Sequence, residues 1–270
     1  MVPGAQAGAR LGGVRVLVTG GRGFIGSHVC DALRAAGHEA VPLGRADGDL
    51  AEEGVAERLV EAHRPDAVVH LAAAMPGDER LAQNAPITAL VAAACAARGI
   101  PLFHGSTTSV YADETPYAES KRASEAAAGD ATMLRFHFPY GPGQRRGAIP
   151  TMLRQALAGE AVVVYRGWER SFCFVRDAAE AVALLVERGE RGAWDIGRDD
   201  DRRSLHEVAR LACSAAGAAE ELIAVVEPPP GPTPVLASLD IAPLRALGWA
   251  PQVALEDGMR RTLEWLRGSV

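Results

Sequence analysis

Apolar and polar positions switch repeatedly between a period of two and a period near 3.6 along this chain, and the switches mark out strands and helices in alternation. Val14-Arg-Val-Leu-Val-Thr19 is a short β-branched run that predicts a strand. It feeds directly into Gly20-Gly-Arg-Gly23-Phe-Ile-Gly26, after which apolar residues recur at helical spacing through Leu33. Glu39 to Leu43 predicts a second strand, Glu52 to His63 an amphipathic helix, and Asp66 to Ala74 a third strand running into small residues. Ala85 to Arg98 then predicts an alanine-rich helix, Pro101 to Gly105 a fourth strand, and Ser106 to Tyr111 the loop beyond its carboxyl end. Strands alternating with helices in this way specify an α/β fold with a doubly wound parallel sheet.

The second half continues less regularly. Helical spacing covers Ala148 to Ala158 and Ala178 to Glu187, a strand is predicted from Ala161 to Tyr165, and Ala193-Trp-Asp-Ile196 returns a strand to the sheet. Ser204 caps a helix through Ala216 with Glu207 at the capping-box position, and Glu256 to Leu266 forms a last helix. The expected organisation is a core of residues 14–140 to which 171–196 return. A smaller C-terminal lobe takes 141–170 and 197–270, and 1–13 form a loose tail. Pro228 to Pro234 reads as a rigid surface crossing, and Trp168, Trp194, Trp249 and Trp265 read as packing residues.

Composition narrows the function classes. The net charge of -6 argues against a nucleic-acid or anionic-membrane surface, since those partners require a positive field. The four cysteines lie far apart without a CxxC or Cys/His cluster, so neither a disulfide framework nor a metal site is expected, and a reducing cytoplasm fits. No apolar run is long enough to span a bilayer.

Two stretches carry chemistry. The GxxGxxG turn between a strand and a helix lets backbone approach a pyrophosphate, with the helix N-H groups holding its charge. At the end of the second strand, where an NAD site usually has an acid for the ribose 2'-hydroxyl, the chain has Gly44 and Arg45. Arg45 and Arg22 favour a 2'-phosphate and so NADP, with NAD the alternative. The second stretch is Tyr117-Ala-Glu-Ser-Lys121, whose four-residue spacing puts a phenol and an ammonium on one helix face. Lysine plus arginine total 28, yet Lys121 is the only lysine, so a compact ammonium is required at that place. The expectation is that its charge lowers the Tyr117 pKa toward the range of acid/base catalysis. His70, at the end of the third strand, reads as a satisfied strand-end histidine.

Thr19-Gly-Gly-Arg-Gly-Phe-Ile-Gly-Ser27, His70-Leu-Ala-Ala73, the hydroxyl run ending Val110-Tyr111, and Tyr117-xxx-Lys121 together resemble the extended short-chain dehydrogenase/reductases, the NAD-dependent epimerase/dehydratase group. Arg135-Phe-His-Phe-Pro-Tyr-Gly-Pro-Gly143, Phe174-Val-Arg-Asp177 and Leu247-Gly-Trp-Ala-Pro251 extend the likeness to the C-terminus. The resemblance implies a Rossmann core with a substrate lobe. Tyr117 would be the catalytic acid or base, Lys121 would orient the nicotinamide ribose, and Thr107 would complete the triad. Gly20, Gly23 and Gly26 would cradle the pyrophosphate, with Phe24, Ile25 and Leu71 beside the cofactor. Asp49 and Leu50 would flank the adenine, and Ala72 and Ala73 would line the site. Thr108, Phe138 and Arg170 fall at substrate positions, Arg170 where the family often meets a nucleotide-sugar diphosphate.

Departures from the family pattern shape the expected reaction. Thr108-Ser109 stand where 4,6-dehydratases carry an Asp-Glu pair, which argues against dehydration. The segment between Tyr111 and Tyr117 is short, and Phe138 replaces a substrate-binding Asn. The preferred expectation is an NADP(H)-dependent reductase of a keto-sugar nucleotide, such as a 4-keto-6-deoxy sugar, or of a similar carbonyl or polyol. An NAD-dependent nucleotide-sugar epimerase is the alternative, and a nonenzymatic dinucleotide sensor, which would not need the Tyr-Lys pair, is a further one. Family members often dimerise, so a homodimer is expected.

Overall fold

The computed structural model describes residues 13–112, 114–228 and 239–268. The expected N-terminal tail and most of the proline-rich crossing therefore lie outside the described residues.

The first strand, β1 (Arg15–Thr19), turns through the glycines into α1 (Phe24–Ala35), and β2 (Glu39–Leu43) comes back parallel to β1. After α2 (Val55–His63) the chain crosses to the other side of β1 to lay down β3 (Ala67–His70). The helices α3 (Asn84–Ala96) and α4 (Pro116–Ala127) then connect β3 to β4 (Leu102–Thr107) and β4 to β5 (Thr132–Phe136). An excursion follows through β6 (Pro139–Tyr140), α5 (Ala148–Ala158), β7 (Val162–Tyr165), β8 (Glu169–Ser171) and β9 (Cys173–Phe174). It ends in α6 (Val175–Glu187), and β10 (Ala193–Ile196) joins β5 in parallel, as the pattern predicts. The chain finishes with β11 (Arg202–Ser204), α7 (Leu205–Ala216), β12 (Ile223–Val226), α8 (Ala242–Ala246) and α9 (Leu255–Gly268).

Six strands make one parallel sheet in the order β10-β5-β4-β3-β1-β2. A parallel sheet is covered on both faces, and the near-continuous apolar runs of its strands reflect that. Val16, Val18, Val69, Phe103 and Leu134 face α1 and α6, while Leu17, Val68 and Leu102 face α2 and α3. The chain leaves β1 toward β2 on one side and β3 on the other, which opens a crevice at the carboxyl ends of these strands. The predicted third strand stops at His70 because Leu71 N-H donates to Thr19 O and Ala72 N-H to the Thr19 hydroxyl, turning the chain across the end of β1. Asn84 then holds Ala74 through bonds to both its N-H and its carbonyl.

A second, smaller core gathers Tyr140, Ile149, Leu153, Phe174, Val208, Met259 and Leu263. α7 starts where predicted, with the Ser204 hydroxyl accepting from Glu207 N-H and the Glu207 carboxylate accepting from Ser204 N-H. α9 comes so close to β6 that a Cβ on Gly258 would lie 2.0 Å from the Tyr140 hydroxyl. Asp177 joins the two halves: its carboxylate accepts the N-H groups of Gln252 and Val253, and its carbonyl accepts the Trp249 indole. Trp194 and Trp249 are buried in the large core, and Trp168 and Trp265 pack against the small one, so all four serve packing as expected.

Candidate active site

The glycine turn is shaped by close approach. Gly20 has φ +69°, and a Cβ there would meet Ala72 N at 2.8 Å, while a Cβ on Gly26 would lie 2.1 Å from Gly20 O. No side chain caps α1 and no acid sits in its first turn, so the positive end of the helix is left for an anion. That cradle fits a dinucleotide diphosphate.

Beside the turn lies an open cleft of about 260 Å3. Of the residues expected at the cofactor, Gly20, Arg45, Asp49, Leu50, Ala72 and Ala73 line it, together with Thr19, Arg80 and Asn84. Gly23, Phe24, Ile25, Gly26 and Leu71 do not line the cleft itself; they form the turn and its packing, Leu71 lying against the large core.

Arg22 is engaged elsewhere. Asp47 folds back through a 3-10 turn at Arg45–Asp47, so that its carboxylate accepts Gly44 N-H at 2.8 Å and makes a 2.8 Å ion pair with Arg22. The Gly44 N-H, and then Arg22, hold the Asp47 carboxyl below the usual range. The sequence shows no acid directly at the end of β2, yet the fold supplies one three residues later. Among the described residues, Arg45 and Arg80 are the arginines that line the cleft, and Arg80 is braced by Asp78.

The reaction end is built by α4 and β4. Thr115 caps α4 by accepting Ala118 N-H, and Pro116 pre-sets the first turn, so Tyr117 sits at the very start of the helix. Lys121 follows one turn later, is buried, and donates from Nζ to Gly105 O at 2.5 Å. Thr107 lies two residues beyond Gly105 and shares its face of β4. Burial pushes the half-buried Tyr117 phenol up to about 12 and the Lys121 ammonium down to about 8. This corrects the expectation of a charge-acidified phenol: the ammonium is bonded to a backbone carbonyl, and burial sets the Tyr117 shift. Under Lys121, His70 and His104 stack with ring centroids 5.5 Å apart. Both are held neutral, by burial first and by the Lys121 charge second. His70 is satisfied by the hydroxyl of Thr19 at 2.6 Å, as expected of a strand-end histidine.

The turn that follows Thr107 is fixed from three sides. The Thr107 hydroxyl accepts Ser109 N-H, and the buried Thr108 hydroxyl lies 2.7 Å from His137 Nδ1. Val110 O accepts from Arg122 on α4. The Tyr111 hydroxyl donates to Asp195 at 2.7 Å and accepts from Arg135, which also makes a two-pronged pair with Glu125. Asp195, Glu125 and Arg80 carry no motif of their own, and His137 lies inside the Arg135–Gly143 segment without a role assigned there. The resemblance includes Arg135 and Tyr111, and that pair was the one available signal for this network.

The substrate positions group apart from the cleft. Phe138 has φ +39°, and the Arg170 guanidinium carbon lies 5.0 Å from its ring centroid and 5.3 Å from that of Trp168. Thr108, by contrast, is turned inward to His137.

Residues 16–197 match the NAD dependent epimerase/dehydratase family. The chain is 30% identical to a dTDP-glucose 4,6-dehydratase of Neisseria gonorrhoeae, with 93% of this chain and 94% of that protein covered. Among solved structures it is similar to the UDP-glucose 4-epimerase of Thermus thermophilus in complex with NAD, at 28% identity and a TM-score of 0.82, covering 95% of this chain and 100% of that one. It is also similar to DesIV, a dTDP-glucose 4,6-dehydratase of Streptomyces venezuelae with NAD and TYD bound, at 26% identity and a TM-score of 0.80, covering 94% and 97%.

Proposed function

Because the chain belongs to the NAD dependent epimerase/dehydratase family, whose members are enzymes, we propose that it moves hydride to or from a carbon-oxygen centre of a nucleotide sugar. The preferred reading is an NADP(H)-dependent reductase of a keto-sugar nucleotide. The observation that carries it is the bond from Lys121 on α4 to Gly105 O on β4, two residues before Thr107, with Tyr117 one helical turn before Lys121 and a cleft lined by Arg45 and Arg80.

A bound nicotinamide supplies the hydride. The Thr107 hydroxyl, whose oxygen already accepts Ser109 N-H, keeps its proton to donate to the carbonyl oxygen. Tyr117, a phenol through neutral pH, delivers the proton that completes the alcohol. Lys121 holds its charge at the Gly105 carbonyl on β4, and in this reading it donates to the ribose hydroxyls of the nicotinamide half. Elimination of water needs an acid and a base beside the reacting carbons. Thr108 and Ser109 bring only hydroxyls, and that of Thr108 is bonded to His137.

A second reading has its own support. Asp47 neutralises Arg22 beside Gly44, which weakens the case for a 2'-phosphate there, and a similar epimerase is complexed with NAD. An epimerase that retains NAD accommodates both. Nucleotide released from the purified protein by acid, identified by mass, separates the two: firmly retained NAD overturns the NADP reductase. NADPH oxidation in a panel of keto-sugar nucleotides confirms it. The reading includes a cytoplasmic homodimer with no nucleic-acid or membrane partner. Among the described residues no helix is long and apolar enough to cross a bilayer.

A further inference from the structure

Phe138 holds a backbone conformation, φ +39°, that a bulky L-residue avoids, and among the described non-glycine residues only Arg64 shares the positive region. Such a conformation persists where the surroundings over-determine it, and it concentrates at ligand sites. Burial does not explain it here: Phe138 is 39% exposed, whereas His137 before it is 3% exposed. The ring meets the His137 ring edge at 4.8 Å and Phe172 at 6.0 Å, with the Arg170 guanidinium 5.0 Å from its centroid.

These contacts run in a line. Thr108 bonds His137, His137 touches Phe138, and Phe138 touches Arg170, which also meets the Trp168 ring. Phe138 therefore stands between the turn that carries Thr107 and a guanidinium held in place. The exposed ring of Phe138 is thus the surface that a ligand reaching from the Thr107–Thr108 turn toward Arg170 would meet.

We propose that Phe138 determines substrate specificity by receiving a deoxygenated face of the glycosyl ring, so that the favoured substrate is a deoxyhexose nucleotide; the assignment rests on the nucleotide-sugar reading. A benzyl ring offers no hydrogen bond, so a hydroxyl pressed against it gives up water without compensation. A methyl or C-H face gains burial there instead. An apolar surface rejects an added hydroxyl by at most about a hundredfold, and a half-open one by about tenfold.

The test is calorimetric titration of the dinucleotide-loaded wild type, Phe138→Asn and Phe138→Leu with dTDP, dTDP-glucose and dTDP-6-deoxyglucose, and with the uridine series. The wild type is expected to prefer the deoxy sugar about tenfold. Phe138→Leu should keep that preference and Phe138→Asn should erase it, with affinity for the free diphosphate changed less than twofold. Asn tolerates the left-handed region, so Phe138→Asn should also melt at a higher temperature. An unchanged deoxy preference in Phe138→Asn overturns the role of Phe138 alone. Failure of the wild type to bind any diphosphate or sugar of either series overturns the nucleotide-sugar reading and this inference with it.

Discussion

Lys121 donates from its buried ammonium to the carbonyl oxygen of Gly105 at 2.5 Å, so the chain's only lysine grips the strand that ends at Thr107. The bond ties α4, which carries the candidate acid Tyr117, to β4, which ends at the candidate oxygen-holding hydroxyl of Thr107. It also leaves a charge in a place that water does not reach.

Stability should respond to that charge with a definite sign. Burial lowers the Lys121 pKa from 10.5 to about 8, so between those values the unfolded chain holds a proton that the folded chain has released. The corresponding stability is present above pH 10.5 and is lost as pH falls through about 8. Lys121→Met should therefore stabilise the protein at pH 7 by up to about 3 kcal/mol, with the gain vanishing above pH 10.5. Urea denaturation at pH 7 and at the alkaline limit measures it. A variant less stable than wild type at pH 7 would show that the Gly105 bond outweighs the desolvation.

Turnover should have the opposite pH preference. A reaction that needs the ammonium falls as pH rises through about 8, while Tyr117, raised to about 12, stays a phenol throughout. Tyr117→Phe should lower turnover by roughly 10²- to 10⁴-fold and leave dinucleotide affinity within about twofold. Initial rates from pH 6 to 9, with dinucleotide binding followed by tryptophan fluorescence, separate the two effects. A Tyr117→Phe protein with wild-type rates removes the residue from the chemistry.

Acid should unfold the protein through three imidazoles. Burial pushes His70, His104 and His137 down to about 3, 2 and 4 from 6.5. As pH falls below 6.5 the unfolded chain takes up protons that the folded chain refuses, and stability is lost by at most about 4 kcal/mol per pH unit. His104→Phe should reduce that slope by about 1.4 kcal/mol per pH unit. Denaturant titrations at pH 7, 6 and 5 give the slopes, and parallel slopes for both proteins would contradict the prediction.

Two glycines should fail in different ways. At Gly26 an added Cβ lies 2.1 Å from a backbone carbonyl, that of Gly20, which cannot swing aside. Gly26→Ala should therefore weaken dinucleotide binding at least about tenfold. At Gly258 the obstacle is the Tyr140 hydroxyl, whose hydrogen bond goes to Leu255 O. Gly258→Ala should lower stability by about 1 to 3 kcal/mol with little effect on dinucleotide affinity, and adding Tyr140→Phe should recover part of it. Thermal melts and dinucleotide titrations on both variants distinguish the cases; equal losses of affinity would contradict them.

What local spacing controls was legible in the sequence. The β-branched run before Gly20, the helical period after Gly26 and the Ser204/Glu207 pair each act within a few residues, and each element formed where predicted. The parallel sense of the sheet was legible in the same alternation, but its order, with β2 and β3 on opposite sides of β1, was not. What could not be read are groups that meet through the fold: Thr108 with His137, 29 residues apart, and Tyr111 with Asp195, 84 residues apart. Asp47 is an intermediate case. It lies three residues beyond Gly44, but only the tight turn at Arg45–Asp47 brings its carboxylate back to Arg22 and changes the electrostatics at the end of β2. The spacing of Tyr117 and Lys121 correctly set them one turn apart, yet spacing does not say where a four-carbon chain will point.

The arrival of β10 beside β5 sets an order on how the protein is made. During synthesis the flank of β5 stays unpaired until Ala193–Ile196 emerge, after the whole excursion of residues 137 to 192. A ribosome stalled within that excursion would present an open strand edge to other nascent chains. Slow translation there should divert material into aggregates, whereas a stall after Ile196 should not.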